Sequence, residues 1–286
     1  MVPVLGGLGA ALMFTVSVLA SARASRLIGA SSTVAWAMAV GFIVTMPVAL
    51  VVPPAPDFSN GSLPWFFVSG IGNVAGLLLT YAAYRIGAVA VIVTIASTEG
   101  AIAAILAVIA GEVLVPGAAP ILALIAVGVA VTAAGATSGA EGVPISRERE
   151  LRTVVLAIGS AACFGIGLYA SGRLSSLLPI PWAILPPRVV GSLVLVLPLI
   201  FMRRLRLTRA AAPYVIAVGL AEVFGYISFV IGAQQAIAIS AVLATMFAPF
   251  SAIAAYFLFR ERLVTRQVVG IVFVVVGVAI LGIVQS

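Results

Sequence analysis

Apolar runs of about 20 residues follow one another along almost the whole chain, separated by short connections rich in Arg, Gly and Pro. A helix needs roughly 20 apolar residues to cross the hydrocarbon of a bilayer, because each residue advances it by only about 1.5 Å. The runs therefore predict transmembrane helices at 2–22, 33–52, 64–84, 88–110 and 118–137, then at 153–170, 181–202, 213–233, 237–259 and 267–283. The one strongly charged stretch, with Arg147, Glu148, Arg149, Glu150 and Arg152, cannot lie in hydrocarbon and divides the two sets. The expected architecture is an all-α integral membrane protein of ten transmembrane helices built as two inverted five-helix repeats. Residues 1–140 form the first repeat, 141–152 a charged cytoplasmic linker and 153–286 the second repeat.

The two sets resemble each other at an offset of about 150 residues. Gly9, Phe14, Ala20, Ser21, Arg23, Ser25 and Leu27 reappear as Gly159, Phe164, Ala170, Ser171, Arg173, Ser175 and Leu177, and Gly41 as Gly191. One residue out of register, Gly70, Val74 and Gly76 recur as Gly219, Val223 and Gly225, and Glu112, Leu114 and Gly128 as Glu261, Leu263 and Gly277. Five crossings is an odd number, so consecutive halves insert in opposite senses, the plan of many transporters. The arginines give an independent reading. Arg23, Arg26, Arg85, Arg147, Arg149, Arg152, Arg203, Arg204, Arg206, Arg209, Arg260, Arg262 and Arg266 all fall in connections on one side, against Arg173 on the other. Positive connections stay cytoplasmic, which places both termini on the non-cytoplasmic side.

Composition narrows the chemistry. The 286 residues are 63% hydrophobic and 8% charged, and all 15 basic residues are arginines set against 8 acidic ones. The +7 charge orients the chain in the membrane, and no basic stripe with interleaved aromatics exists to follow nucleic acid. There is no His, and Cys163 is the only cysteine, so a disulfide framework and His or Cys metal clusters are excluded. No Gly-x-Ser-x-Gly elbow or clustered carboxylate motif suggests an enzyme. No cofactor and no metal are expected. The first run has no charged segment ahead of it and reads as the first helix, not as a cleaved signal.

The run Ala248-Pro249-Phe250, Ala254 to Phe259, Arg260-Glu261-Arg262-Leu263, Gln267, Gly270 and Gly277-Val278 resembles the signature of the EamA branch of the drug/metabolite transporter (DMT) superfamily. In that signature a Pro-containing helix ends in a Glu-basic-Leu turn and leads into a Gly-rich last helix. Gly111-Glu112-Val113-Leu114 with Gly128-Val129 is a degraded first-half copy, and Glu99-Gly100 stands where the second half has Ala248-Pro249. The plan is similar to that of YddG-type exporters of aromatic amino acids and other metabolites. The resemblance implies an exporter in a bacterial inner membrane, with a central cavity.

An ionisable side chain at mid-membrane costs roughly 2.5–3.5 kcal/mol, so such groups face protein or a wet interior and are functional candidates. Glu99, midway along the fourth span, and Glu222, midway along the eighth, stand out. Glu222 shares a helix face with Tyr226, and the equivalent face of the third span carries Asn73, Thr80 and Tyr84, with Tyr81 beside it. Phe14, Ser17, Phe164, Tyr169, Thr98, Met246 and Ser251 complete the expected lining of a substrate cavity. Glu222 is either a substrate or proton site or the structural partner of Arg188, and Arg188 is either a buried counter-ion or an interfacial anchor. Glu112 and Glu261, at helix ends, read as structural. The expected activity is alternating-access export of small amphipathic metabolites, foremost amino acids including aromatic ones. Cationic drugs, other metabolites, or a pore or lipid-moving role are the alternatives. The expected partners are a small-molecule solute and the bilayer, with a monomer as the simplest working unit.

Overall fold

The computed structural model describes residues 1–52, 61–84, 86, 92, 95–135, 147–259 and 265–284. All regular structure among them is helical: α1 (Val2–Ile28), α2 (Ala30–Val51), α3 (Ser62–Tyr84), α4 (Glu99–Ile109), α5 (Ala118–Gly135), α6 (Arg147–Ser175), α7 (Ile180–Ala183), α8 (Pro186–Gly191), a π-helical segment (Ser192–Val196), α9 (Leu197–Phe201), α10 (Ala212–Ala233), α11 (Ile237–Ala244), α12 (Phe247–Phe259) and α13 (Thr265–Val284). Among the described residues six helical stretches are long and apolar enough to cross a membrane, one of them Ile237–Ala254, which runs through α11 into α12, and four shorter apolar stretches accompany them.

The exterior of this bundle is built for lipid. Along α13 alone, Val268, Val269, Val272, Phe273, Val275, Val276, Ile280 and Ile283 are exposed. An apolar surface of that extent would aggregate in water. Backbone groups facing hydrocarbon have no water to bond, and helices satisfy them internally.

Three of the expected spans are not continuous. The fourth and ninth turn at Ser97–Thr98 and at Thr245–Met246 before restarting as α4 and α12. At each turn a threonine hydroxyl bonds a carbonyl three residues back, Thr98 to Ile95 at 2.7 Å and Thr245 to Val242 at 2.7 Å. Such local bonds compete with the helical ladder, and hydropathy does not register them. Glu99 therefore begins a helix and does not lie midway along one. Pro249 falls in the first turn of α12, where the N–H it lacks would have no intrahelical partner. The seventh span is interrupted by Pro186–Pro187 and by the π-helical segment. The charged stretch is helical from Arg147, with an exposed Arg152–Glu148 pair at 2.7 Å, so residues 147–152 are continuous with α6.

The packing repeats the internal symmetry of the sequence. α1 lies along α10 as α6 lies along α3, and α5 lies along α13. A Cβ at Gly225 would come 2.5 Å from Phe14, and one at Gly76 would come 2.7 Å from Phe164. Gly219 is covered by Val40 and Gly70 by Val190; Gly191 is covered by Met38 and Gly41 by Arg188. In each of these couples the equivalent residues have exchanged places between the halves. Backbones also meet directly: a Cβ at Gly6 would stand 2.7 Å from the Gly232 backbone, and one at Gly72 would stand 2.7 Å from the Cys163 carbonyl. Small residues at such crossings let membrane helices approach closely.

Two connections are fixed by specific bonds. Gly29, at φ 85°, reverses the chain between α1 and α2 in a conformation open to glycine. There Trp36 Nε1 donates to the Arg206 carbonyl at 3.0 Å and the Arg206 N–H donates to Ser32 Oγ at 3.2 Å, so two of the arginine-bearing connections share one end of the bundle. Glu112 accepts hydrogen bonds from the N–H groups of Ile237, at 2.9 Å, and Ala238, at 3.0 Å. Its carboxylate thus satisfies two donors left open at the start of α11 and sits at the positive end of that helix. Glu261, its counterpart, lies outside the described residues.

Replacing Glu112 with Ala is expected to cost about 1–2 kcal/mol by stripping this cap, read as a lowered thermal midpoint in detergent, with Glu112→Gln recovering part of the loss. Gly72→Ala is expected to cost about 1–3 kcal/mol by overpacking, whereas Gly159→Ala, whose Cβ would meet only Leu79 at an ordinary 3.4 Å, leaves the midpoint nearly unchanged.

Candidate functional site

The polar groups that the sequence places in the hydrocarbon converge on one interior cluster. Glu222 and Tyr226 stand one turn apart on α10, so both face α1 and α8. Ser17 of α1 donates a hydrogen bond to Glu222 Oε1 at 2.8 Å, and Arg188 of α8 places Nη2 at 3.9 Å from Glu222 Oε2. The Arg188 guanidinium lies over the Tyr226 ring at 4.5 Å, within cation-π range. Asn73 of α3 donates to the Tyr226 hydroxyl at 2.8 Å. Phe14 packs edge-on against Tyr226 at 5.7 Å and against Phe247, the first residue of α12, at 6.5 Å. Glu99, at the start of α4, lies within electrostatic reach of Glu222 and of Tyr226.

Both sequence halves build this cluster: Phe14, Ser17, Asn73 and Glu99 come from the first, and Arg188, Glu222, Tyr226 and Phe247 from the second. The two helix breaks touch beside it, since a Cβ at Gly100 would fall 2.5 Å from the Ala241 carbonyl and 2.6 Å from Thr245. Arg188 is 1% exposed, so it is a buried counter-ion and not an interfacial anchor. The Pro186–Pro187 start of α8 turns it inward at the point where the seventh span is interrupted. Glu222, by contrast, keeps 29% of its side chain accessible while Ser17, Val223, Gly225 and Tyr226 around it are buried. The carboxylate is therefore partly accessible where its neighbours are not. The cluster offers a cation, two carboxyl groups, two hydroxyls, an amide and three aromatic rings, a set able to hold a small amphipathic ion.

The other expected residues lie elsewhere in the packing. Thr80 is buried and shares a 2.6 Å hydrogen bond with Ser160, which also donates to the Gly76 carbonyl, so it joins α3 to α6. Tyr169 is buried edge-on against Trp65 at 5.6 Å, with Arg173 stacked 5.8 Å from the same indole. Phe164 covers Gly76. Tyr81 borders a cavity of about 190 Å³ with Ser31, Val34, Leu78, Ala82 and Leu195. Thr98 and Met246 belong to the two breaks, and Ser251 Oγ is buried on α12 without a hydrogen-bond partner. The side chain of Tyr84 lies outside the described residues. Phe247 was not among the expected residues; its signal was its place one residue beyond Met246, opposite Thr98 in the repeat.

Residues 151–283 match the model of the EamA-like transporter family. No curated protein matches the chain. Among 22 matching solved chains, one crystal structure aligns with a TM-score of 0.78 over 98% of this chain and 96% of its own length, at 18% identity, which shows a shared fold. With a lipid-adapted helical bundle and a charged interior already evident, the match over residues 151–283 places the second half of this chain in the EamA-like transporter family of the drug/metabolite transporter superfamily, whose members are multi-pass membrane transporters.

Proposed function

We propose that this protein is a secondary transporter that exports small amphipathic metabolites, foremost amino acids including aromatic ones, by alternating access around the Arg188–Glu222 cluster. The observation that carries the reading is a partly accessible carboxylate, paired with a buried arginine and walled by Phe14, Tyr226 and Phe247, at a junction of helices from both halves. Ionic groups persist at membrane depth where they line a pathway or site. The solute ammonium approaches Glu222 and Glu99, and its apolar part lies against the rings, helped by cation-π attraction.

Ten spans in two inverted five-helix repeats are supported by the exchanged glycine contacts and by the paired breaks of the fourth and ninth spans. Discontinuous helices meeting at mid-membrane are the usual frame of a transporter site, and rocking of the repeats exposes that site to each side in turn. The arginine distribution supports cytoplasmic connections with both termini opposite, and the family resemblance supports a bacterial inner membrane and an outward direction.

Purified protein in liposomes is expected to catalyse saturable counterflow of labelled phenylalanine. Glu222→Gln is expected to slow it at least about tenfold, the loss of a hydrogen bond to a charged group, while the protein remains monodisperse. Absence of counterflow for phenylalanine and related amphipathic amines removes the proposal, and an unchanged rate in Glu222→Gln removes that residue's part in it.

A further inference from the structure

We infer that Arg188 is the receptor for a substrate carboxylate, and that its contact with Glu222 is a resting pair which a zwitterionic substrate replaces. The inference rests on the transport reading above and names the chemical class that its site selects.

A buried guanidinium is stable when its donors are filled, and it presents five N–H groups in a planar fork suited to a carboxylate. Arg188 is 1% exposed, yet neither Nη1 nor Nη2 has a hydrogen-bond partner. Its nearest anion, Glu222 Oε2, stands at 3.9 Å, outside hydrogen-bond distance, and Glu222 gives its other oxygen to Ser17 at 2.8 Å. The pair is electrostatically matched but not closed. The remaining support under the guanidinium is the face of Tyr226, which attracts the cation without accepting its N–H groups in the plane. Acceptors are left over elsewhere in the cluster: Asn73 Oδ1 is buried and unpartnered, and Glu99 stands at the start of α4 within electrostatic reach of Glu222.

Arg188 and Glu222 form the ion pair of the cluster, and Glu99 adds a second carboxyl group within electrostatic reach of Glu222. A simple amine needs only a carboxyl acceptor. A zwitterion brings its own carboxylate as well, which fills the Arg188 fork, while its ammonium takes the place of the guanidinium beside Glu222 and Glu99. Arg188 is thus the group that separates a zwitterion from an amine of the same shape.

The internal symmetry shows that packing alone does not call for an arginine here. The position equivalent to Arg188 is Met38, and each lies against the glycine of the other half: Met38 on Gly191, and Arg188 on Gly41, where a Cβ would come 3.1 Å from its Cγ. The same niche is therefore filled in the first half by an uncharged side chain of similar reach. Arg188→Met replaces the residue with its own counterpart, removing the charge while keeping the volume.

Binding of phenylalanine and of phenethylamine, which lacks only the carboxylate, is to be measured by calorimetry on the purified wild type, Arg188→Met and Arg188→Lys. Arg188→Met is expected to weaken phenylalanine at least about tenfold, the loss of charge-assisted bonds to a carboxylate, and to change phenethylamine by less than about threefold, a shift too small for a lost charged contact. Arg188→Lys restores part of the phenylalanine affinity, because it keeps a point charge without the fork. Phenylalaninamide, whose carboxylate is neutralised, is expected to bind the wild type at least about tenfold more weakly than phenylalanine, a readout that stands even where the Met variant does not fold. Equal weakening of phenylalanine and phenethylamine in Arg188→Met, or equal wild-type affinity for phenylalanine and its amide, overturns the inference while leaving the transport reading intact. A wild type that binds none of the three overturns both.

Discussion

An ionised side chain in hydrocarbon has no water to solvate it, and the protein must supply what water would have given. Arg188 and Glu222 place that demand inside this bundle, and the surrounding structure answers it. Ser17 bonds one oxygen of Glu222, the Tyr226 ring lies under the guanidinium, and Asn73 holds the Tyr226 hydroxyl. Those groups come from α1, α3, α8 and α10, so the cluster ties together helices that are distant in sequence. The supply is incomplete, with two guanidinium nitrogens and one amide oxygen left open. In a purely structural core, replacing such a set with well-packed apolar residues would often be neutral or stabilising. Its persistence beside an accessible carboxylate is what makes it read as a binding site.

Near-symmetry of the backbone and asymmetry of the side chains work together here. Glycines at equivalent places allow the same close crossings in both halves, and the exchanged couples Gly225–Phe14 and Gly76–Phe164 keep that geometry in register. The residues in the equivalent polar positions differ, however: Asn73 faces Glu222 in the repeat, Met38 faces Arg188, and Glu99 faces Ala248. A two-fold frame thereby holds a site with one cationic pole and one anionic pole. The breaks before α4 and α12 meet, because Gly100 lies directly against Ala241 and Thr245.

Much of this was legible in the sequence, and the rest was hidden for definite reasons. The repeat could be read because glycines required by close approach fall at fixed offsets. Glu222, Tyr226, Asn73, Ser17 and Phe14 could be grouped because a charge in an apolar run leaves few places for it to point. The interruptions at Ser97–Thr98, Thr245–Met246 and Pro186–Pro187 were not visible to hydropathy, since the residues around them stay apolar and the turn depends on single hydroxyl bonds and a missing N–H. Arg188 could not be assigned to interface or interior, because that depends on where the broken seventh span aims it. The bond from Glu112 to the start of α11 joins residues more than a hundred positions apart, a separation that no local pattern encodes.

The central claim is that the charged cluster borders an interior gap reached from water and not from lipid. Ser17, which is buried in this structure while bonded to Glu222, is the most direct probe. In a Cys163→Ala background, Ser17→Cys reconstituted in vesicles would be treated with a membrane-impermeant methanethiosulfonate, with and without phenylalanine. The account predicts labelling by the aqueous reagent and protection by the solute. Labelling by lipid-soluble reagents alone would contradict it.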